Sequence, residues 1–379
     1  METAIRVLLG TRKGAWLLDG RAGQNNWQLS DPVHLGSKVY HVVGDPRNPG
    51  LVLLAEGGGH LGPSLFRSTD AGMTFDEVEH PPQFVRAEDE SGRSVDHVFW
   101  LTPGHSDQPE TWYAGTSPQG LFRSRDGGIN WEEVTGLNDH PDFFEWRGSD
   151  KDGTPDGPKL HSVIVDHSDP MHLLVGMSGG GIFESRDEGA SWTPLNKGVA
   201  MDFYPPKEDG SEYLFGHDPH CMVMHPLDAN RLYHQNHCGI YRLDRDKGDR
   251  WERIGDNMPR EVGDIGFPIV THPRNVDTAW VFPMDGSGLW PRTSPDGRPA
   301  VYRTIDGGRS WERQDRGFPA TQAWMTVKRQ CMTTDTGDPL GIYLGNSSGQ
   351  LWGSFDEGES WQILAANLPE IFSVETLPA

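Results

Sequence analysis

Short apolar runs bounded by glycine, proline or aspartate recur along the whole chain and predict β-strands rather than helices. A representative unit contains His97-Val98-Phe99-Trp100-Leu101, Thr111-Trp112-Tyr113-Ala114-Gly115, the pair Leu121-Phe122 and, after a turn, Trp131-Glu132-Glu133-Val134. Four such strands in a unit of about 40–60 residues are typical of one blade of a β-propeller. The pattern therefore predicts an all-β chain made of repeated four-stranded blades.

A short phrase in the turn between the third and fourth strands returns six times along the chain. Its copies begin at Ser68, Ser124, Ser185, Asp244, Thr304 and Ser354. In the complete copies we expect the third residue, Asp, to accept hydrogen bonds from turn amides and the fifth, Gly, to adopt positive φ. The closing aromatic residue is expected to cover the turn. Six copies on six hairpins cannot share one site, so these carboxylates are predicted to be structural.

The phrase Ser-x-Asp-x-Gly-x-x-Trp resembles the Asp-box, or BNR, repeat of sialidases, sortilin-type receptors, some glycoside hydrolases and photosystem II assembly factors. The resemblance extends over nearly the whole chain and implies a β-propeller, a scaffold on which these families perform different functions. Sialidases usually carry an Arg-Ile-Pro phrase near the N-terminus. Here Arg6 lies in Ala4-Ile5-Arg6-Val7-Leu8 and Arg-Ile-Pro is absent from the sequence, which argues against sialidase activity.

Seven blades in a single domain spanning residues 1–379 are predicted. Six lie at about 40–79, 97–134, 161–195, 220–254, 267–314 and 324–364, and the seventh combines 371–377 with 5–30. A blade shared by both ends of the chain closes the ring and removes open sheet edges. We therefore expect removal of the last ten residues to destabilise the protein.

Composition narrows the classes of function. The net charge of −22 argues against nucleic-acid binding, and the sequence has no apolar run long enough for a membrane span. The first residues lack the pattern of a secretory signal. The three cysteines are predicted to be reduced, with Cys221 and Cys238 buried as small apolar groups. These features predict a cytoplasmic protein.

Long connections are expected to carry the function, because loops on a rigid scaffold commonly hold binding groups. They cover residues 56–60, 137–160, 196–219 and 285–292, and they include the aromatic stretches Phe143-Phe144-Glu145-Trp146 and Phe203-Tyr204. Aligned inner strands give one column, which contains Tyr40, His97, His161, His220, Phe267, Trp324 and Phe372. The three histidines, with His237 as a fourth, form a candidate site for Zn²⁺, Mn²⁺ or Fe²⁺. The alternative is that they are hydrogen-bonded packing residues.

Glu56 and Asp285 are the candidate catalytic carboxylates, and Arg12 is a candidate for holding a substrate carboxylate. These residues predict a hydrolase, or a metal-dependent lyase similar to some seven-bladed propeller lyases, acting on a carbohydrate-like substrate. The alternative is a non-catalytic scaffold that binds a protein partner, with Phe143–Trp146 as an anchor.

Overall fold

The chain folds into seven four-stranded antiparallel sheets in the computed structural model, which describes residues 4–24, 26–57, 62–85, 93–148, 157–286 and 292–378. This arrangement confirms the predicted all-β, seven-bladed propeller. Within these ranges two short α-helices interrupt the strands, α1 at Thr135–Asn138 and α2 at Phe143–Trp146. No helix in these described ranges is both long and apolar enough to cross a membrane.

Chain packing divides the protein into two compact units. The first, called the three-blade unit, comprises Ser37–Asn196 and Ser211–Pro219. Blade 1 contains β4 (Lys38–Asp45), β5 (Asn48–Gly57), β6 (Ser64–Ser68) and β7 (Asp76–Glu77). Blade 2 contains β8 (His97–Pro103), β9 (Trp112–Ser117), β10 (Leu121–Ser124) and β11 (Glu132–Glu133). Blade 3 contains β12 (Leu160–Val165), β13 (Leu173–Met177), β14 (Gly181–Ser185) and β15 (Thr193–Pro194).

The second, called the four-blade unit, comprises Met1–Gly36, Lys197–Gly210 and His220–Ala379. Blade 4 contains β16 (Pro219–His225), β17 (Asp228–Asn236), β18 (Gly239–Asp244) and β19 (Glu252–Arg253). Blade 5 contains β20 (Gly266–His272), β21 (Asn275–Pro283), β22 (Val301–Thr304) and β23 (Glu312–Gln314). Blade 6 contains β24 (Met332–Thr334), β25 (Ile342–Gly345), β26 (Leu351–Ser354) and β27 (Gln362–Ala365). Blade 7 contains β28 (Ile371–Pro378), β1 (Ala4–Thr11), β2 (Gly14–Arg21) and β3 (Gln28–Leu29).

The repeated phrase builds the turn that the sequence predicts. In blade 2 the Oδ1 atom of Asp126 accepts hydrogen bonds from the amides of Ile129 at 3.1 Å and Asn130 at 2.9 Å. The buried Ser124 hydroxyl accepts the Gly128 amide at 2.9 Å, and Gly128 has φ of 87°. The indole of Trp131 donates to the Gly128 carbonyl at 3.0 Å. The phrase is therefore a structural clip that satisfies the polar groups of a tight turn.

The copy that begins at Asp244 is different. Its turn is a short 3-10 helix at Arg245–Lys247, and Asp244 accepts a hydrogen bond from the Lys247 ammonium group at 2.9 Å. The inner strand of blade 6 is short, because it begins at Met332 rather than at Trp324. The Trp324 side chain is 52% exposed, and the amide of Thr326 is held by the Ser347 hydroxyl instead of a strand partner.

Strand β28 joins the two ends of the chain in one sheet, as predicted. It pairs antiparallel with β1 from Ile5 opposite Pro378 to Thr11 opposite Ile371. The side chains of Ile371 and Val374 are fully buried in the core of the four-blade unit. Among the described residues Cys221, Cys238 and Cys331 are buried and form no disulfide, and the burial of Cys221 and Cys238 was predicted.

Candidate functional site

Four residues of the predicted column, Tyr40, His97, His161 and Phe267, lie at or directly beside irregular positions in the inner strands. The pairing of inner and second strands shifts register between Val39 and His41, between Val98 and Trp100, between His161 and Ile164, and between Gly266 and Ile269. Such β-bulges re-aim side chains and are frequent beside functional sites. These four column residues therefore coincide with a structural feature that the periodic strand pattern does not reveal.

Two column histidines lie in the three-blade unit. The His97 ring stacks on Tyr40 with centroids 3.9 Å apart, and its Nδ1 atom lies 2.7 Å from the Asp96 carboxylate. The hydrogen bond from His97 lowers the pKa of Asp96. The His161 ring is fully buried, with Nδ1 at 2.8 Å from the Ser162 hydroxyl and Nε2 at 2.9 Å from the Pro219 carbonyl. Both nitrogen atoms of His161 are thus engaged by the protein, as in a packing histidine.

The other two histidines meet in blade 4. His220 lies in β16 and is 2% exposed, while His237 follows β17 in its connection to β18. Their ring centroids are 5.7 Å apart with planes at 73°, and each ring offers a nitrogen atom within 4.8 Å of the other's. The Nδ1 atom of His220 lies 2.6 Å from the Gly266 carbonyl. These two rings can therefore present nitrogen atoms to one small ligand.

An aromatic loop lies against this pair of histidines. Phe203 contacts His237 edge-to-face at a centroid distance of 5.8 Å, and Phe203 and Tyr204 pack together at 5.1 Å. Phe203 is 49% exposed and Tyr204 is 55% exposed. Two large aromatic side chains therefore lie on a solvent-exposed surface, which is typical of binding surfaces.

Arg253 anchors the same region electrostatically. Its guanidinium contacts the Asp202 carboxylate at 3.1 Å and the Asp264 carboxylate at 2.9 Å. Burial alone lowers the pKa of Arg253, but the hydrogen bond and charge of Asp264 and the charge of Asp202 raise it overall. Sequence reasoning did not single out Arg253, because its partners are distant in the chain and only the fold brings them together.

The candidate residue Asp285 lies beside a second arginine. Arg292 donates to the Asp285 carbonyl at 3.1 Å, and its other terminal nitrogen lies 3.4 Å from Nε2 of His237. Burial lowers the pKa of Arg292, and the Asp285 charge opposes that shift. The middle of the predicted 285–292 loop, residues 287–291, lies outside the described residues. Asp285 and His237 therefore meet the same arginine within the four-blade unit.

Arg12 lies in the connection between the second and third strands of blade 7, and Glu56 lies at the end of the second strand of blade 1. Arg12 lies at the β1–β2 turn, where it pairs with Glu370 at 3.2 Å; its side chain is 60% exposed. Glu370 also accepts the Lys328 ammonium group at 2.9 Å. Glu56 lies near the end of β5, opposite Val39. Residues 58–60 of its loop lie outside the described part of the chain.

A separate pocket of about 1060 Å³ lies in the three-blade unit. Its lining includes Phe84, Val85, Arg93, Trp131 and Phe144. Arg93 lies over the rings of Phe84 at 4.3 Å and Phe144 at 5.9 Å, and Phe144 is 62% exposed. Residues 149–156 of the neighbouring predicted insertion lie outside the described residues. This pocket is a second place where an exposed aromatic ring, that of Phe144, adjoins a charged group, Arg93.

Comparison with known proteins finds no family model that matches the chain. The chain is 25% identical over 295 residues to an oligoxyloglucan-reducing end-specific xyloglucanase from Emericella nidulans, covering 72% of this chain and 33% of that protein. It is 24% identical over 321 residues to a xyloglucanase from a Paenibacillus species, covering 75% of this chain and 28% of that protein. The chain thus spans a third or less of the length of these relatives.

Solved structures resemble the protein over nearly its whole length. A GH74 xyloglucanase from Xanthomonas campestris has a TM-score of 0.65 and 18% identity, covering 96% of this chain and 53% of that chain. A structure described as a putative 6-phosphogluconolactonase from Bacteroides fragilis has a TM-score of 0.58 and 11% identity, covering 99% of this chain and 98% of that chain. At these identities the likeness establishes the fold, a β-propeller, and the function requires its own argument.

Proposed function

We propose that the chain is a carbohydrate-active hydrolase propeller whose ligand is a glucan of the xyloglucan type. The observation that carries the proposal is the sequence likeness to a xyloglucanase over 295 residues and 72% of the chain. A likeness of this length covers several blades, so it extends well beyond a single repeated hairpin. It favours a carbohydrate-active function over the alternative of a protein-binding scaffold.

The surface beside His237 has the chemistry that a sugar chain requires. A pyranose ring has apolar C–H faces, which pack on exposed aromatic rings, and hydroxyl groups around its edge, which form hydrogen bonds. Phe203 and Tyr204 supply the half-exposed rings. Asp202, adjacent to Phe203 in the chain, supplies a carboxylate that Arg253 orients at 3.1 Å. Charged hydrogen-bonding groups of this kind form the stronger bonds to hydroxyls.

Hydrolysis needs a carboxylic acid that donates a proton and a second carboxylate. Asp202 and Asp264 both pair with Arg253, so their oxygen atoms are already committed to an ion pair. We therefore keep Asp285 and Glu56 as the proposed catalytic carboxylates. Arg12, paired with Glu370 and largely exposed, is proposed to hold a charged or polar substituent of the ligand.

The proposal is tested by measuring retention of the protein in native gels that contain xyloglucan, with amylose as a control polymer. Release of new reducing ends from xyloglucan is measured in parallel. We expect retardation by xyloglucan only, and loss of most of it in Phe203→Ala. Absence of both retardation and reducing-end release for the unaltered chain would refute the proposal.

Phe144→Ala is the matched control, since Phe144 is also an exposed aromatic residue but lines the pocket of the three-blade unit. Retention that depends on Phe203 and not on Phe144 supports the site beside His237. The reverse result moves glycan binding to the pocket of the three-blade unit and rejects the proposed platform. The predicted lyase chemistry, protein partner and cytoplasmic location stay predictions.

A further inference from the structure

We infer that the buried His225 is a proton-sensitive latch between blades 4 and 5, and that protonation of its ring below neutral pH opens this latch. The latch is the set of hydrogen bonds that the ring forms at the end of β16. Both blades belong to the four-blade unit. The proposed carbohydrate surface takes no part in the latch, which is tested without any sugar.

The connections from inner to second strand in blades 1 to 6 share one kind of cap. An Asp or His at the end of the inner strand accepts a hydrogen bond from the amide two residues further on, at 2.8–3.1 Å. The capping residues, in chain order, are Asp45, His105, Asp166, His225, His272 and Asp335. A carboxyl group keeps an acceptor oxygen in either protonation state, whereas a ring nitrogen accepts only while it carries no proton. A histidine cap therefore depends on protonation in a way that an aspartate cap does not.

The partners of His225 require a neutral ring in one tautomer. The Leu227 amide donates to Nδ1 at 3.1 Å, so Nδ1 carries a lone pair. The carbonyls of His272 and Asn275 lie 2.8 Å and 3.1 Å from Nε2, so Nε2 carries the hydrogen and donates to them. These carbonyls flank the turn that joins β20 to β21, and the ring thereby joins blade 4 to blade 5. A second proton would place two donors, Nδ1–H and the Leu227 amide, face to face.

The surroundings of His225 disfavour that second proton. The side chain is fully buried, and burial lowers the pKa of His225, although the His272 and Asn275 carbonyls oppose the shift. The charged and titratable groups at the facing ends of the neighbouring strands are Asp228 and Arg231 of β17 and His272, Arg274 and Asp277 of blade 5. Arg231 lowers the pKa of His225 further and Asp228 raises it.

The sign of the pH dependence follows from the lowered pKa of His225. The folded chain binds this proton less tightly than the unfolded chain, whose histidine has a pKa of about 6.5. The stabilisation by the latch is therefore complete above that value and is lost as the pH falls below it. Histidine is the side chain whose ordinary pKa suits a switch in this range.

Blade 1 contains a version of the same link that needs no neutral ring. Its phrase is Asp45-Pro46-Arg47, where blade 4 has His225-Pro226-Leu227. The Arg47 guanidinium is held by Asp45 at 2.7 Å. It donates at 3.3, 3.0 and 2.9 Å to three carbonyls of blade 2, those of His105, Gln108 and Thr111. A guanidinium stays protonated in proteins, so this donor is permanent.

The test measures hydrogen exchange of the Leu227 amide in the full chain at about pH 7.5 and about pH 5.5 by mass spectrometry of overlapping peptides. Labelling times are scaled so that intrinsic exchange is equal at both pH values. If the ring must be neutral in the closed latch and has a pKa of about 6.5 in the open one, the opening constant rises by about 10-fold between these values. We expect the protection of Leu227 to fall by nearly that ratio, and the protection of the carboxylate-capped Arg47 amide to stay the same.

Two variants separate the titrating ring from the rest of the cap. His225→Asp combined with Leu227→Arg installs the blade 1 phrase in blade 4, and the 61% exposure of Leu227 leaves room for the longer side chain. His225→Asn keeps an acceptor for the amide of residue 227 but has no titrating ring. We expect each variant to have equal protection at both pH values, at a lower level in His225→Asn because the Nε2–H donor is lost.

Unchanged circular dichroism at neutral pH establishes that the variants fold. Protection of Leu227 that is the same at both pH values in the unaltered chain would overturn the inference. An equal loss of protection on acidification in folded His225→Asn would also overturn it, because the ring would then not be the group that titrates. Both outcomes are independent of the glycan assays.

Discussion

Replacing Ile371 by alanine tests whether the closing strand β28 holds the four-blade unit together. The Ile371 side chain is fully buried, and it packs so closely on Gly345 that a Cβ placed there would lie 2.5 Å from Ile371 Cγ2. The backbone of Ile371 is also fixed, since its carbonyl accepts the Cys331 thiol at 3.3 Å. The strand is therefore enclosed by blade 6 on one side and paired with β1 on the other.

The size of the effect follows from this burial. Isoleucine to alanine removes three side-chain carbons, a transfer term of about 2.4 kcal/mol at ~0.8 kcal/mol each. The cavity left in a close-packed core raises the expected total to about 2–5 kcal/mol. Ile363 in β27 offers a matched control, because it is 46% exposed. Ile363→Ala is expected to change stability by less than about 0.5 kcal/mol.

The assay is urea denaturation of both variants, monitored by intrinsic tryptophan fluorescence. The midpoints are compared when the dependence of the unfolding free energy on urea concentration has the same slope in both variants. Ile371→Ala is expected to unfold at a clearly lower urea concentration, and Ile363→Ala at nearly the original one. Deletion of the last ten residues, which removes all of β28, is expected to destabilise the chain further, because it exposes the edge of β1. Equal midpoints for the two isoleucine variants would refute the packing argument for closure.

Three further outcomes are expected. Ser124→Ala removes the acceptor of the buried Gly128 amide and should cost about 1–3 kcal/mol in thermal or urea unfolding; an unchanged midpoint would show that this bond contributes nothing. Burial opposes ionisation of Asp306, but hydrogen bonds from Ser310 and Thr304 lower its pKa to about 2. The ionised Asp306 therefore stabilises the folded chain fully above the unfolded pKa of about 3.9, and this stabilisation is lost as the pH falls toward 2. Melting temperatures from pH 6 to pH 2 should therefore fall less steeply in Asp306→Asn, and parallel curves would contradict this. Burial raises the pKa of the Cys331 thiol to about 12, so a thiol reagent at pH 8 should label it only after unfolding; fast labelling of the folded protein would show that it is accessible.

Local patterns were enough to predict the hairpins, because each repeated phrase forms its bonds within a few residues. The Ser124 hydroxyl donates to Asp126 and accepts from the Gly128 amide, so these bonds form within one turn and do not depend on the rest of the chain. Six of the seven blades followed from the spacing of those phrases, and the seventh followed from the strand patterns at the two ends of the chain. The start of blade 6 did not, since Trp324 matches the column by position but lies outside any strand.

The candidate site was predictable only in part. The sequence placed His220 among three column histidines and added His237 as a fourth. It contained no signal for the hydrogen bond of His220 to Gly266 or for the pairing of Arg253 with Asp264, because these partners belong to segments that meet only after folding.

The sequence by itself therefore determined the all-β class, the seven blades and the closure through β28, since hydrophobic alternation and turn chemistry act over short distances and repeat with the blade. Only the tertiary structure decided the chemical state of each candidate. His161 has both ring nitrogens engaged, by Ser162 and Pro219, and Nδ1 of His220 lies beside the Gly266 carbonyl. The physical reason is that a ring's tautomer and its ligand atoms are set by neighbours from other strands, which sequence periodicity does not specify.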